Sequence, residues 1–517
     1  MDKQNKFLDD SYINNKNILN KAQEALIQGT SFQLAGKIVE AINCYKTCLE
    51  LTPDNANALS NLGVIIHDLG RFDEAISCLQ RAITIEPNLF QAHYNLGNSY
   101  KDFGMPKEAI ASYQKAINIE PNNTSAHYNL GITLQTYGSL DEAILCYKKV
   151  LALNPEHIKA LLNLGNALLE AGRLSEAITC YHKVIVLQPY HVDAHNNISL
   201  FQLLTGDFAN GWEKSDWRWK TDQVDSERYL QYEKSLWRGE PLENKRLLIW
   251  AEQGVGENVL FASMLPDIIK KNAKITIECE QRFIPLLKRT YPSITCIPMI
   301  DKIYRNSQCN EFDFTVPFGN LGRWLRSDVS NFTKQPSHLL ADQKKRALIR
   351  NRYITNNENL LVGIAWHSNS VKYKYKSIEL NDLLPILEIP GITFVNLQYG
   401  DTTKQRSEFT KNTGITILDD EKIDQKVDID SFAAQIAAMD MIVTISNTTA
   451  HIAGALGVPT TLMLGVNPIW YWMLENNDSI WYSSISICRQ KKLGDWKEVI
   501  EQAANKVKEM KNSPITR

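Results

Sequence analysis

The chain has 517 residues, 44% of them hydrophobic and 22% charged, with a formal net charge of −2 at pH 7. That length exceeds what one core organises, so roughly two to four domains are expected. The balanced charge excludes a partner held mainly by a basic field, such as nucleic acid or an anionic membrane surface. No apolar run is long enough to form a transmembrane segment, and the opening MDKQNKFLDDSYINNKN lacks the apolar stretch of a secretion signal. A soluble, cytoplasmic protein is the expectation.

In chain order, residues 1–19 read as an N-terminal extension and 20–191 as five repeats. Pro53, Pro87, Pro121, Pro155 and Pro189 recur every 34 residues, as do Gly36, Gly70, Gly104, Gly138, Gly172 and Gly206. Gly29, Gly63, Gly97, Gly131 and Gly165 keep the same step. A period of 34 with Asn-Leu-Gly, then Gly-x-x-x-Glu-Ala-Ile, then Pro is the tetratricopeptide pattern, which stacks helix pairs into a superhelix. Gly97 and its equivalents admit a close crossing of the two helices, Ala75, Ala109, Ala143 and Ala177 line the other side, and the prolines end the second helix. Cys44, Cys78, Cys146 and Cys180 share one position, with Ser112 in the remaining copy. That pattern reads as a small buried helix position. Nine cysteines without a CxxC pair indicate neither a disulfide framework nor structural zinc.

Asn61, Asn95, Asn129, Asn163 and Asn197 form a ladder at one position of the first helix. Amides on a concave face can pair with both N–H and C=O of an extended polypeptide. The same asparagine before Leu-Gly also serves repeats with other tasks. Residues 192–240 read as a degenerate sixth unit and a connection, with Trp212, Trp217 and Trp219 in place of small repeat residues. They predict a rigid cap, with Trp217 and Trp219 largely buried; the alternative is an exposed sugar-stacking surface.

From residue 242 the pattern alternates strands with helices, which predicts parallel sheets. Residues 241–350 form one lobe, with strands at 247–251, 274–278 and 312–316, and a helix at 258–270. Residues 351–517 form the second, with strands at 360–366, 393–397, 441–445 and 460–464. The segment 327–359 holds the connection, and a last helix at 495–510 packs back. Ligands in such lobes bind at the strand C-termini.

The richest stretch follows the strand 441–445. Ser446-Asn447-Thr448-Thr449 is a polar turn before a helix at 450–456, closed by Gly457 and Pro459. A helix start with free N–H groups suits a phosphate. His451 either donates to that phosphate or makes an internal hydrogen bond to the neighbouring lobe. In the first lobe, Gly254-x-Gly256-Glu257 lies at the first strand-to-helix turn. Glu257 there is a candidate general base or a helix-dipole partner. Ser368 and Asn369 end the first strand of the second lobe. Lys374 and Lys376 beyond them are candidate counter-charges for a diphosphate, and Lys372 reads as part of a solvated loop. Gln398 ends the next strand and could read a base or ribose. Asp428-x-Asp430 resembles a metal motif formally, but Asp before a helix is a natural cap, so no metal site is assigned.

These motifs resemble the GT-B glycosyltransferases of the heptosyltransferase-like group, glycosyltransferase family 9, over residues 212–507. The run from Ser446 to Pro459 matches that family's Asp-Thr-x-x-x-His-Leu-Ala-x-Ala-Leu-Gly-x-Pro, with Ser446 where the family has Asp. Glu257 stands at the family's Gly-Asp base, and Lys376-Ser377 at its Arg-Ser pair. Asn467–Trp472 and Ser479–Tyr482 resemble its aromatic segments, which read as core. The Asn ladder is similar to that of O-GlcNAc transferase, which holds polypeptide. The implied whole is bacterial: a tetratricopeptide α-superhelix followed by a GT-B fold of two Rossmann-like lobes. The resemblance implies an inverting, metal-independent transferase that passes sugar from a nucleotide-diphosphate sugar to a protein acceptor, with no tightly bound cofactor. Two alternatives stay open: a non-catalytic scaffold with a degenerate module, or a transferase acting on lipid-linked or free saccharide. Repeat faces and terminal helices also allow homo-oligomers.

Overall fold

In the computed structural model the chain divides into two units, Met1–Leu187 and Gln188–Arg517. It describes residues 2–221, 226–252, 254–299, 311–333, 335–354, 359–368 and 376–513, with side chains from residue 15 onward except 226.

The first unit is a series of helical hairpins: α1 (Asp2–Leu34) with α2 (Ile38–Leu51), α3 (Ala56–Asp68) with α4 (Phe72–Ile85), and α5 (Phe90–Asp102) with α6 (Pro106–Ile119). The series continues with α7 (Thr124–Tyr137) and α8 (Leu140–Leu153), then α9 (Ile158–Glu170) and α10 (Leu174–Leu187). The expected extension is no separate element, because α1 runs through it. The crossings depend on glycine. A Cβ at Gly97 would lie 2.6 Å from the Tyr113 ring, and one at Gly165 2.5 Å from Tyr181. Both tyrosines are buried, and their hydroxyls donate to Asn98 Oδ1 and Asn166 Oδ1 at 2.7 and 2.8 Å. Asn55, Asn123 and His157 cap the first helices by accepting backbone N–H groups. His93 and His127 donate to the carbonyls of Pro87 and Pro121, a bond repeated at the period of the array. The cysteine position is shallower than expected: Cys44, Cys78 and Cys146 are half-buried, while Cys180 and Ser112 are buried.

Gly97→Ala should destabilise this unit by about 1–3 kcal/mol, since a ring and two helices must move to admit the methyl group. All 11 tryptophans lie beyond residue 211. The loss should therefore appear in the helical signal of circular dichroism, with the tryptophan fluorescence transition unmoved. An unchanged helical transition would count against a tight crossing.

The second unit opens with α11 (Val192–Thr205), α12 (Phe208–Lys214) and a 3-10 turn, Ser215–Lys220. Trp212 and Trp219 are each 3% exposed. The Trp212 indole donates to Arg326 O at 2.9 Å, and its ring lies so close to Gly322 that a Cβ there would be at 2.3 Å. Trp219 stacks on Tyr229 and meets Trp250. Trp217 departs from expectation. It is only half-buried, stacked on His195 at 4.1 Å with the Lys220 ammonium 4.1 Å from its centroid, so its ring is used within its own repeat unit.

Two parallel sheets follow. The first contains β1 (Arg246–Trp250), β2 (Lys274–Cys279), β3 (Thr295–Pro298) and β4 (Phe314–Pro317), in the order β3-β2-β1-β4. The second contains β5 (Leu360–Ala365), β6 (Ile392–Asn396), β7 (Met441–Ile445), β8 (Thr460–Leu464) and β9 (Ile485–Arg489), in the order β6-β5-β7-β8-β9. β3 and β9 were not anticipated. The order reverses beside β1 and beside β5, the switch points at whose strand C-termini sheets of this kind bind ligands. The helix after β1 begins at Val255, three residues before the expected start, and breaks after Phe261 ahead of Pro266. The helix Lys497–Asn512 buries Val499, Ile500, Ala503 and Val507 against the second sheet.

The lobes meet directly. The helix Val255–Phe261 packs on Thr448–Leu456. Asp430, from the helix Ile429–Ala437, bonds Arg289 of the first lobe at 2.6 Å and Lys345 at 3.0 Å. Asp428 caps the same helix by accepting Ser431 N–H. Both carboxylates of the Asp428-x-Asp430 motif are thus engaged structurally.

Candidate functional site

The strand β7 is fully buried and ends at Ile445, so Ser446 and Asn447 follow directly at its C-terminal end. Asn447 takes extended backbone angles and caps the helix Thr448–Leu456: its Oδ1 accepts Ala450 N–H at 3.2 Å and the Thr444 hydroxyl at 3.1 Å. Its Nδ2 is buried and has no hydrogen-bond partner among the described residues. The first-turn amides of Thr448 and Thr449 have no acceptor inside the helix. One orphaned side-chain donor and a helix start therefore share one spot. Thr449 is fully buried and its hydroxyl donates to Leu397 O, so its side chain is engaged within the lobe and not offered to a ligand as expected. Ser446 Oγ accepts the Trp472 indole N–H at 2.9 Å.

His451 is buried, pairs with the Tyr482 hydroxyl at 2.9 Å and stacks on Trp472. Burial first, then Lys376 and His338, pushes its imidazole down to about 3, so it is neutral at neutral pH. The internal bond is therefore made to Tyr482 of its own lobe and not, as expected, to the neighbouring lobe. A Cβ on Gly256 would lie 3.0 Å from His451 Cδ2 and 3.5 Å from Thr448 Oγ1. Glycine at 256 thus lets the first-lobe helix approach the second-lobe turn.

Glu257 is partly buried in the first turn of its helix. Burial first, then the Glu252 carboxylate, pushes its carboxyl up to about 7, while Arg218, the Gly254 backbone and Lys376 pull the other way. Lys376 is itself buried, at 5% exposure, and lies within electrostatic reach of both Glu257 and His451. The structure thus gathers Glu257, Lys376, Asn447, Thr448 and His451 from the expected set. A carboxyl titrating near neutrality, a buried ammonium and a helix start stand together where the lobes meet.

Other expected residues fall elsewhere. Gln398 is 2% exposed; its Oε1 accepts the N–H groups of Trp366 and His367 at 3.0 and 2.8 Å, and its Nε2 donates to Tyr399 O. Its carboxamide ties the ends of β5 and β6 together, which replaces the expected reading of a base. Ser368 N–H donates to Ser377 Oγ at 3.0 Å. Asn369, Lys372 and Lys374 lie outside the described residues. Ladder residues Asn61, Asn95, Asn129 and Asn163 are half-buried in the first unit, and Asn197 is half-buried in the second. Asn129 Nδ2 donates to Tyr94 Oη and Asn98 Oδ1, and Asn163 Nδ2 to Tyr128 Oη. These bonds join neighbouring repeats, and at Asn129 they use both N–H groups, which narrows its expected pairing with polypeptide to the amide oxygen.

Two residues of the site were not singled out from the sequence. Glu252, two residues past β1, receives Arg218 at 2.8 Å and Gly319 N–H at 2.8 Å. Nothing in their local patterns marks the partnership, which spans 34 positions. Among the described residues no three His, Cys, Asp or Glu side chains gather in a metal-holding group, and no helix is long and apolar enough to cross a membrane.

The N-terminal region is a run of tetratricopeptide repeats. A family model described as a TPR repeat matches residues 31–70 and 65–104, and one described as the tetratricopeptide repeat matches 90–123, 124–157 and 158–191. The chain is also similar to Protein FlbA of Caulobacter vibrioides, with 29% identity over 323 residues, covering 59% of this chain and 53% of that protein. The chain spans about half the length of that curated relative. The alignment is longer than the whole repeat run, so the similarity extends past it. Among solved structures, a MamA protein is 27% identical, with a TM-score of 0.31, over 33% of this chain and 92% of that one. YrrB, described as a TPR protein with an unusual peptide-binding site, is 24% identical, with a TM-score of 0.32, over 34% and 91%.

Proposed function

We propose that the chain is an inverting, metal-independent glycosyltransferase of the GT-B kind, which passes a sugar from a nucleotide-diphosphate donor to a protein acceptor recruited by its repeats. The observation that carries this reading is the Asn447–Thr449 turn. It combines an orphaned buried donor with a helix start, beside the ammonium of Lys376 and opposite a carboxyl that titrates near 7. In this reading the acceptor oxygen attacks the anomeric carbon as the bond to the diphosphate breaks. Glu257 takes the acceptor proton, and the charge left on the diphosphate meets Lys376, Asn447 Nδ2 and the first-turn amides. The repeats support a peptide or protein partner as the acceptor class.

Titration calorimetry with UDP, GDP, ADP and dTDP tests the donor half. At least one should bind, and Lys376→Ala should weaken that binding by about tenfold or more, since a charge-assisted hydrogen bond is lost. Binding by none of the four removes this reading.

A further inference from the structure

The second helix of the degenerate repeat ends in the turn Ser215–Lys220, and this turn reaches into the first lobe. Arg218 lies over the Trp219 ring at 4.4 Å and directs its guanidinium at Glu252 with three contacts of 2.8–3.1 Å. It also donates to Ser215 O and to Asn320 Oδ1. The Glu252 side chain is 1% exposed and accepts Gly319 N–H. Asn320 in turn donates to Asp216, and Arg323 bonds Asp216 as well. The arginine thus binds the residues just past β1 and just past β4 into one block. Glu257 stands on the helix that leaves this block, five residues after Glu252.

We propose that Arg218, supplied by the degenerate repeat, is a positioning residue for Glu257, acting through Glu252 at the rim of the first sheet. The inference rests on the transferase reading for its functional meaning, but its electrostatics stand without it. Among the described residues, the charged groups that act on Glu257 are Glu252 from its own lobe, Arg218 from the degenerate repeat and Lys376 from the other lobe, with the neutral His451 beyond Gly256. Glu252 disfavours the carboxylate form of Glu257; Arg218 offsets that effect. Bidentate guanidinium geometry is what fixes the Glu252 carboxylate in place.

The sign pattern follows. Arg218→Met leaves Glu252 uncompensated, so the Glu257 midpoint should rise by about one pH unit. Glu252→Gln removes the repelling charge and keeps the cation, so the midpoint should fall. The double variant should return between the two. The experiment is a carbon-13 titration of carboxyl-labelled full-length protein, with the Glu257 resonance assigned by its loss in Glu257→Gln. It needs no substrate. Opposite shifts in the two single variants support the role, since a merely structural role would not move the midpoint in opposite directions. Unmoved midpoints, or shifts of the same sign, overturn it. Hydrolysis of UDP-glucose and GDP-mannose, followed against pH on the same proteins, separates the two readings. Opposite titration shifts without turnover of either donor would leave the coupling standing and count against the transferase reading.

Discussion

Under the proposed transferase function, Glu257→Gln is expected to lower sugar transfer by about two to four orders of magnitude, the range for loss of a general base. Nucleotide-diphosphate affinity should stay within a few-fold, because the contacts proposed for the diphosphate lie on the second lobe. Wild-type activity should rise with pH through a midpoint near 7, where the Glu257 carboxyl loses its proton. The same group predicts a stability effect that needs no substrate. Its folded pKa lies above its unfolded value, so the fold binds the extra proton. Its stabilising contribution is complete below the unfolded pKa, near 4.5, and is lost as pH rises through about 7. Glutamine mimics the protonated form and escapes that loss. Glu257→Gln should therefore unfold at a higher temperature than wild type at pH 8 and at nearly the same temperature at pH 4. A pH-rate profile flat from 5 to 9, with full activity in the variant, would remove Glu257 from the reaction.

The parts of this fold that were legible in the sequence are those built from local or repeated signals. The array was readable because one 34-residue pattern recurs five times, so each glycine and proline confirms the others. β7 and β8 were readable to the residue because both are buried apolar runs with clear turn signals at their ends. β3 has four residues ending in Pro298, and β9 alternates Ile485-Ser486-Ile487-Cys488-Arg489, so neither gives a continuous apolar run. Helix starts moved because capping geometry, not apolar period, sets the first residue, as at Asn447. The site was half legible. Asn447, Thr448, Lys376 and Glu257 sit in recognisable turns. The partners that tune them do not. Glu252 finds Arg218 across 34 residues, Asp430 finds Arg289 across 141, and Gln398 is consumed by backbone amides 31 and 32 residues away. Such pairings are set by how the lobes pack, and no local pattern encodes them.

Arg228→Met is expected to destabilise the second unit by about 3–5 kcal/mol, the range for breaking one side of a buried ion pair. Arg228 and Glu278 meet at 2.8 Å with both side chains 2% exposed. Arg228 also donates to Ala251 O at 3.0 Å and lies 4.4 Å over the Trp250 ring. It therefore holds the helix Ser226–Tyr232 against β1, and Glu278 reaches it from the neighbouring strand β2. Methionine fills much of the volume but leaves the Glu278 carboxylate buried without its cation. Removing both charges is a different case: Arg228→Met with Glu278→Leu leaves no buried charge and should recover most of the loss. Urea unfolding followed by tryptophan fluorescence reads this unit selectively, because every tryptophan lies within it. A single variant as stable as wild type would show that the pair contributes nothing to this unit. A double variant as weak as the single would show that the lost stability belongs to arginine packing on Trp250 instead of to the stranded carboxylate.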